Sequence, residues 1–372
     1  MKKERNTFTG KVGFVLAAAG ASVGLGNIWR FPYLAAQYGG GIFLLIYIIL
    51  AMTFGYTMII AETAIGRMTK KSPVGAFKSF SDKKWIVPYY SVIGGWVIRY
   101  LAEYITGDAH KLAEPDSFTN LIGSGLNSEI WFLVFTVCVL IIIFMGVRSG
   151  IERVSRVMMP ILVILAIIVC IYSMTRPGAV EGIKYLLIPN LQNFSWMTVV
   201  SAMGQMFYSL SIAMGILVTF GSYMKKEVSI EGATRQVEFF DTGIAVMAGL
   251  MIIPAVFAFS GPEAANNLKA GPSLMFITMP AIFDSMGFGS AIGAAFFLLV
   301  FFAALTSAIA LAESAVSTFE DQMGWSRKKA TVIIGIIMIA LGSLSALGYG
   351  PLSGVKIIGM QFLDFFDFLT NS

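Results

Sequence analysis

The chain has 372 residues, of which 57% are hydrophobic and only 13% are charged. Soluble domains typically contain about 25% charged residues, so this composition excludes a soluble enzyme or binding module and indicates a membrane protein. The net charge of +5 at pH 7 would also fit a nucleic-acid-binding protein, but the distribution of the basic residues, described below, argues against a nucleic-acid partner.

Long apolar stretches follow one another along the chain. Because a spanning helix needs about 20 apolar residues, the sequence predicts nine full spans, followed by a tenth that begins near residue 357 and meets the end of the chain. A shorter apolar stretch, 273–283, contains Pro280 and is predicted to be a re-entrant or surface helix. The nine predicted spans lie near residues 13–37, 42–65, 85–106, 131–147, 154–175, 197–224, 237–260, 290–320 and 330–348.

The basic residues predict the orientation of these spans. Of the 26 Lys and Arg residues, 19 lie in the amino-terminal segment and in loops 66–84, 147–156, 225–236 and 323–329, and only five lie in the intervening loops. Loops rich in Lys and Arg are typically cytoplasmic. We therefore expect a multi-pass protein of the cell (inner) membrane, embedded in the lipid bilayer, with a cytoplasmic amino terminus.

The first apolar segment is predicted to be interrupted near its middle. Gly20, Gly24 and Gly26 lie within seven residues, and each glycine costs a helix about 1 kcal/mol relative to alanine. Asn27 and Arg30 add polar groups that need partners. Unwound backbone is tolerated at membrane depth only where protein or a ligand faces it. The alternative is a flexible helix that packs closely through its glycines.

The sixth segment has a similar interruption. Gln205, Ser209 and Ser211 flank its centre, and Gly215 follows. Two interrupted segments at corresponding positions of two halves are typical of transporters built from inverted repeats, which bind substrate and coupling ions at the interruptions. At such a break the helix amino terminus is electropositive and the free carbonyls are electronegative. The first favours a substrate carboxylate, and the second favours Na⁺.

Other polar residues within the segments leave alternatives open. Thr306 and Ser307 either bond back to a carbonyl one turn earlier or bind an ion. Asp241 either neutralises a bound cation or begins a helix at the membrane interface. Glu313 lies two turns after Thr306 on the same face, and it needs a polar surrounding. The role of Glu62 is equally open.

Motifs of enzymes are missing from the sequence. It contains no GxSxG, HExxH or Walker A motif, and no pair of catalytic groups is visible. We therefore predict no catalytic residues, and an intramembrane enzyme is the weakest of the alternatives.

Five stretches carry a specific resemblance: AAAGASVGLGNIWRFPYLAAQYGGG, GIERVSRVMMP, GQMFYSLSIAMG, FITMPAIF and FFAALTSAIAL. They resemble the neurotransmitter:sodium symporter family, typified by the bacterial leucine transporter, and the similarity extends over essentially the whole chain. It implies an all-α membrane protein of the leucine-transporter fold, in which five helices are repeated in inverted orientation. Residues 1–372 would form a single transporter domain, with one repeat over about 10–176 and the second over about 197–372.

The resemblance also implies an activity. It is that of a sodium-coupled symporter that imports an amino acid or a related small amine by alternating access, with two sodium sites and no covalent cofactor. A rival of another class is a transport-inactive remnant that acts at most as a membrane binder or sensor.

The same resemblance implies which residues form the sites. One sodium site would use the carbonyls of Gly20, Val23 and Ala303 and the hydroxyls of Thr306 and Ser307. The second would use the Ser22 carbonyl, Asn27, Ser209 and, where many relatives have asparagine, Asp241. The substrate would contact Ala21, Ser22, Val23, Tyr90, Tyr208, Ser211, Met214 and Leu311. Ion pairs would close the two sides, outside between Arg30 and Asp367 and inside between Arg5 and Asp321.

Two features depart from the family. Relatives have a long third helix with a tyrosine at its middle, but here only four residues separate Trp85 from Tyr90. The resemblance therefore implies that roughly four helical turns are absent, and this segment is expected to be too short to span normally. Residue 372 falls early in the tenth helix. We therefore expect both repeats to be incomplete, the first inside its third helix and the second at its last, and the chain to be apparently truncated.

Overall fold

The computed structural model describes residues 7–78, 90–261 and 272–371, with backbone alone at 77, 78 and 369–371. The described part is a bundle of helices. In chain order they are α1 (Lys11–Ser22), α2 (Phe31–Gln37), α3 (Gly41–Leu50), α4 (Tyr56–Thr69), α5 (Pro73–Lys78), α6 (Tyr90–Thr106), α7 (Ala109–Leu112), α8 (Ser117–Gly123), α9 (Gly125–Phe144), α10 (Arg153–Met174), α11 (Ala179–Leu187), α12 (Trp196–Ser209), α13 (Ile216–Tyr223), α14 (Ile230–Ser260), α15 (Met279–Asp284), α16 (Gly289–Met323), α17 (Arg327–Leu347) and α18 (Phe362–Asn371).

Four wider, π-helical turns precede or join these helices. They are Gly26–Arg30 before α2, Ala51–Gly55 between α3 and α4, Val147–Glu152 before α10, and Leu274–Thr278 before α15. Such turns interrupt the regular ladder of hydrogen bonds and often occur at functional sites. The first of them follows the glycine-rich stretch of the first segment.

Six of the described helices are long and apolar enough to cross a membrane, and a bent pair forms a seventh. The six are Gly41–Thr69, Gly125–Phe144, Val147–Met174, Ile230–Ser260, Gly289–Met323 and Arg327–Leu347. The pair is Lys11–Ser22 with Gly26–Gln37, bent by 52°. The protein is therefore a multi-pass helical membrane protein, as the composition predicts.

The third, sixth and tenth predicted spans differ from these. The described part of the third is α6, whose 17 residues extend about 25 Å; residues 85–89 of this predicted span lie outside the described residues. The sixth is divided into α12 and α13, and α18 has 10 residues. The predicted re-entrant or surface stretch forms a short apolar helix, Leu274–Asp284.

Serine residues begin several of the helices. Ser195 accepts the backbone N–H of Thr198 at α12, and Ser229 accepts that of Gly232 at α14. Each cap satisfies one of the free N–H groups of a first turn. The long helix α14 therefore begins at Ile230, seven residues before the predicted start of the seventh span.

The loops predicted to be cytoplasmic lie at one end of the bundle, which we call the basic end. The Arg67 guanidinium donates to the Val228 carbonyl over 2.6 Å, and the Phe8 N–H donates to the Tyr223 carbonyl over 3.1 Å. At the opposite end, the Tyr185 hydroxyl donates to the Ala36 carbonyl over 2.7 Å. The alternation of charge along the sequence thus corresponds to two different ends of the fold.

Candidate functional site

The break predicted in the first segment lies between α1 and α2. Because α1 ends at Ser22, the Ala19 carbonyl is the last of this helix to accept a backbone N–H, from Val23 over 2.7 Å, and the carbonyls of the next residues are left to other partners. Two glycines at the break leave room for side chains from other helices: a Cβ on Gly26 would lie 2.5 Å from the Tyr208 ring, and a Cβ on Gly24 would lie 2.6 Å from the Ser307 hydroxyl. The break is therefore closely packed by protein.

The break in the sixth segment has an unusual backbone. Between α12 and α13, Ser211, Ala213 and Gly215 have φ values of 55°, 65° and 76°, a region that side-chain-bearing residues rarely adopt. The Glu62 carboxylate, 7% exposed, accepts the Ala213 N–H over 2.7 Å. This contact gives Glu62 a position in the site that the sequence left open, since it holds the strained stretch in place.

Asp241 is the centre of a buried polar group that we call the Asp241 cluster, comprising Asp241, Ser209, Asn27 and Tyr47. The Ser209 hydroxyl lies 2.9 and 3.0 Å from the two carboxylate oxygens. The Asn27 amide donates to Asp241 Oδ1 over 2.8 Å, and the Tyr47 hydroxyl donates to Oδ2 over 3.1 Å. All four residues are at most 1% exposed. Asp241 lies eleven residues inside α14, so the alternative in which it begins a helix is wrong.

Ser307 belongs to a second, uncharged group that we call the Ser307 cluster, comprising Gly20, Ala21, Thr306 and Ser307. The Ser307 hydroxyl donates to the Ala21 carbonyl over 3.0 Å and lies 3.4 Å from the Gly20 carbonyl. The Thr306 hydroxyl bonds back within α16, to the Phe302 carbonyl over 2.8 Å. Of the two alternatives for these hydroxyls, Thr306 follows the local one, and Ser307 reaches across to the end of α1.

The predicted substrate residues surround the same two breaks. The Ser211 hydroxyl donates to the Ala21 carbonyl over 3.3 Å, which joins the breaks directly. The Tyr90 hydroxyl accepts the Leu25 N–H over 3.1 Å. Met214 and Leu311 line one cavity with Tyr90, and Ala21, Ser22 and Val23 are buried. The fold thus brings together residues from four predicted segments.

Three of the four predicted gate residues, Arg30, Asp321 and Asp367, lie among the described residues. The Arg30 guanidinium donates to the Gln205 side chain over 3.1 Å and lies 5.1 Å from the centre of the Tyr208 ring. Asp367 lies in α18, and its pairing with Arg30 stays a prediction. Asp321 accepts the Ser72 N–H. Arg5, its predicted partner, lies outside the described residues.

Aromatic rings close the basic end beneath the breaks. The Phe8 ring packs edge-on against Phe14, Phe220 and Tyr223, with ring centres 5.6 to 6.0 Å apart. Nearby, the Glu152 carboxylate accepts the Thr9 N–H over 2.9 Å. Phe8 and Thr9 are therefore held against several helices at this end of the bundle.

The sequence analysis assigned no role to three further residues, Tyr47, Gln205 and Arg327, that contact the residues described above. Tyr47 donates to Asp241, and Gln205 donates to the Gly26 carbonyl over 2.9 Å. Arg327 pairs with the fully buried Glu313 over 3.0 Å, which supplies the polar partner that Glu313 needs. A single hydroxyl within the apolar run GIFLLIYIIL was the available signal for Tyr47.

Two broken helices that meet inside the bundle, with carbonyls, hydroxyls and a buried carboxylate around them, are typical of helical transporters built from inverted repeats. The sequence model of the Sodium:neurotransmitter symporter family matches residues 5–110 and 101–371. The chain belongs to this family, and it is a sodium-dependent transporter and not an enzyme.

Relatives of known sequence or structure agree with this assignment. An uncharacterised sodium-dependent transporter of Bacillus subtilis, YhdH, is 34% identical over 97% of this chain and 83% of its own. The crystal structure of MhsT in complex with L-phenylalanine matches with a TM-score of 0.87 and 38% identity, over 98% of this chain and 86% of that one. The human sodium- and chloride-dependent GABA transporter 2 is 25% identical over 91% of this chain and 66% of its own.

Proposed function

We propose that this protein imports an amino acid or a related small amine together with sodium ions by alternating access. The observation that carries the proposal is the meeting of the two breaks, where the Ser211 hydroxyl lies 3.3 Å from the Ala21 carbonyl. Sodium would favour a state open to the outside, and bound substrate would then permit closure by rocking of one helix group against the rest. The relative crystallised with L-phenylalanine supports an amino acid as the substrate class.

Two sodium sites are part of the proposal. The Asp241 cluster offers carboxylate, hydroxyl and amide oxygens, and these are the ligands of hard cations. Asn27 turns its amide nitrogen toward Asp241 and its oxygen toward the Gly24 N–H, and a half-turn of the amide group would exchange the two. The Ser307 cluster offers carbonyls at the electronegative end of α1, together with the hydroxyls of Thr306 and Ser307. The carbonyls of Ser22, Val23 and Ala303 would complete the two sites.

The substrate would lie between the breaks. Its carboxylate would face the first sodium ion and the electropositive start of the helix that follows each break. Its side chain would contact Tyr208, Met214 and Leu311. The Arg30–Asp367 and Arg5–Asp321 pairs would close the outer and inner sides in turn.

The basic end of the bundle is proposed to face the cytoplasm, with the amino terminus on that side. Support comes from the loops that gather there, since Lys and Arg favour the cytoplasmic side of a membrane. We also propose that five helices are repeated in inverted orientation along the chain, which would give about nine full spans and the start of a tenth.

Uptake by purified protein in proteoliposomes tests the transport proposal. We expect accumulation of radiolabelled amino acids when an inward sodium gradient is present, and its loss when choline replaces sodium or when the gradient is dissipated. Liposomes without protein supply the background. If no amino acid or amine shows sodium-dependent uptake, the proposal is contradicted.

The alternative is a transport-inactive binder or sensor. The shortened third segment expected from the sequence favours it: only four residues separate Trp85 from Tyr90, and a segment too short for the bilayer core of about 30 Å would leave that core incompletely matched. This alternative predicts sodium-dependent binding of the same compounds to detergent-solubilised protein, with no accumulation in proteoliposomes.

A further inference from the structure

A surface groove of about 450 Å³ lies between α1 and α14, and we call it the α1–α14 groove. Val12 and Leu16 line it from α1, and Arg235, Phe239 and Phe240 line it from α14. These residues belong to the first three turns of their helices. Because both helices begin at the basic end of the bundle, the groove lies there as well.

The groove lies on a face of α1 that the described residues before this helix do not cover. Phe8 packs against Phe14, with ring centres 6.0 Å apart. Phe14 is two residues from Val12 and two from Leu16, which places it on the opposite side of the helix. Val12 is 62% exposed and Phe239 is 76% exposed. The groove therefore presents apolar side chains at the surface of the described bundle.

Two basic side chains, one from each helix, lie at the same end of the groove. A Cβ on Gly232 would lie 3.4 Å from the Lys11 ammonium, and Gly232 lies one turn before Arg235 on α14. The Arg235 guanidinium donates to Glu231 over 2.7 Å, which leaves further N–H groups for another acceptor. The ion pairs of the described residues do not include Lys11. Two cations against one carboxylate give this end a net positive charge.

An apolar floor with cations at one end matches an amphiphile that has an anionic head group. Lipid tails and apolar side chains are equally apolar, so in a bilayer the floor supplies shape and the head group supplies selectivity. A phosphate accepts N–H groups from both Arg and Lys, and basic pockets between helices at the cytoplasmic side bind anionic head groups. A zwitterionic lipid would leave the net positive charge of the groove unbalanced.

Building on the proposed function and orientation, which place the basic end at the cytoplasmic leaflet, we propose that the α1–α14 groove binds one anionic phospholipid. Its phosphate would contact Lys11 and Arg235, and one acyl chain would follow Val12 and Phe239. Because α1 ends at the first break and α14 carries Asp241, the lipid would join two helices that contribute to the proposed sodium sites. Since lipid and sodium would both favour the packing of α1 against α14, each should strengthen the binding of the other.

Thermal unfolding of the full chain in detergent, with one lipid added at a time, tests the site. Phosphatidylglycerol should raise the midpoint temperature by at least about 2 °C more than phosphatidylcholine, because a ligand stabilises the fold to which it binds. Inorganic phosphate should have no effect, since it lacks the acyl chain. Equal effects of the two lipids would overturn the proposal. An equal effect of inorganic phosphate would also overturn it, because the site would then belong to a free anion.

Variants of the two cations supply the second test. Lys11→Gln combined with Arg235→Gln should remove most of the difference between the two lipids, whereas Lys11→Arg combined with Arg235→Lys keeps both charges and should keep most of it. Lys111→Gln combined with Lys184→Gln is the matched control, because it removes two exposed basic side chains that lie outside the groove, and it should keep the full difference. An undiminished difference in the first variant would overturn the site.

Sodium titrations in lipid nanodiscs separate this proposal from the proposed function. Wild type should gain at least about fivefold in sodium affinity when phosphatidylglycerol replaces part of the phosphatidylcholine. The variant with Lys11→Gln and Arg235→Gln should gain only what the charged bilayer surface adds by attracting sodium. Equal gains in the two proteins would overturn the coupling between lipid and sodium. Absence of sodium binding in either bilayer, with the lipid preference in thermal unfolding retained, would overturn the proposed function and leave the lipid site.

Discussion

The Asp241 cluster and the Ser307 cluster lie at the same breaks, but their buried polar groups are stabilised in different ways. Asp241 is a fully buried carboxylate that is stabilised by Ser209, Asn27 and Tyr47. The Ser307 cluster has no formal charge, and its hydroxyls bond to carbonyls of α1 and α16. A cation bound at the Asp241 cluster would replace hydrogen-bond donors that now stabilise the carboxylate. A cation bound at the Ser307 cluster would use lone pairs of carbonyl and hydroxyl oxygens that the present hydrogen bonds do not use.

The comparison suggests different responses to sodium. Two sodium ions and a zwitterionic substrate would place net positive charge in an interior where charges interact far more strongly than in water. Asp241 is the member of the two clusters that can balance it. The Ser307 cluster can contribute only ligand number and geometry.

The largest effect is expected for Thr306→Val combined with Ser307→Ala. Each hydroxyl lost as a partner of a charged group should cost about 1.5–3 kcal/mol, so together they should lower sodium affinity at least about hundredfold and abolish sodium-stimulated substrate binding. The change in sodium affinity is measured by titrating sodium while amino-acid binding to the wild type and to the double variant is recorded.

Ser317→Ala combined with Thr318→Val is the matched control for this pair. Both hydroxyls lie on α16 and bond back to the Ser314 carbonyl, away from the breaks, so sodium affinity should not change. Unchanged sodium affinity in a folded Thr306/Ser307 variant would instead limit those hydroxyls to the hydrogen bonds that they already make with carbonyls of α1 and α16.

A smaller effect, about tenfold or more in sodium affinity, is expected for Asp241→Asn in gluconate. The substitution replaces the charged carboxylate with a neutral amide of similar shape. Added chloride should partly restore sodium binding in the variant and should have little effect on the wild type, because Asp241 already supplies a fixed negative charge. The measurement is a sodium titration of both proteins in gluconate and in chloride.

Glu238→Gln is the control for Asp241→Asn, since it removes a carboxylate one turn earlier on α14, outside the Asp241 cluster. It should leave sodium affinity within about twofold. A wild type that requires chloride, or an Asp241→Asn variant that binds sodium normally in gluconate, would refute the charge-balance role.

The smallest effect is expected for Tyr47→Phe. Loss of this donor removes one of the two hydroxyls near Asp241 Oδ2 and leaves that of Ser209, at a cost of about 1.5–3 kcal/mol. A bound cation would supply the missing interaction. The variant should therefore unfold at a lower temperature in choline, with a smaller deficit in saturating sodium, as measured by thermal unfolding in detergent.

Tyr56→Phe serves as its control. Tyr56 begins α4 and its hydroxyl lies 3.4 Å from Arg235 in an exposed position, so its loss should change unfolding little in either salt. An equal deficit for Tyr47→Phe in sodium and in choline would separate Tyr47 from the ion site.

The sequence anticipated the structure best where one residue type has one physical consequence. Three closely spaced glycines weaken a helix wherever they occur, and the first segment is indeed bent there. Charged loops avoid the hydrocarbon core, and the structure gathers the basic loops at one end. Asp241 was harder, because a carboxylate near a predicted helix start has two good explanations. Only the true start of α14, at Ile230, decided between them.

By itself, then, the sequence determined the class of protein, the family, the two breaks and the residue types around them, because these depend on local composition and spacing along one chain. Tertiary structure alone decided which donors surround Asp241, which backbone N–H Glu62 holds, and that Arg327 is the partner of Glu313. Those pairs join residues 14 to 214 positions apart. Such pairs have no signature in any one segment, because they depend on how the helices pack.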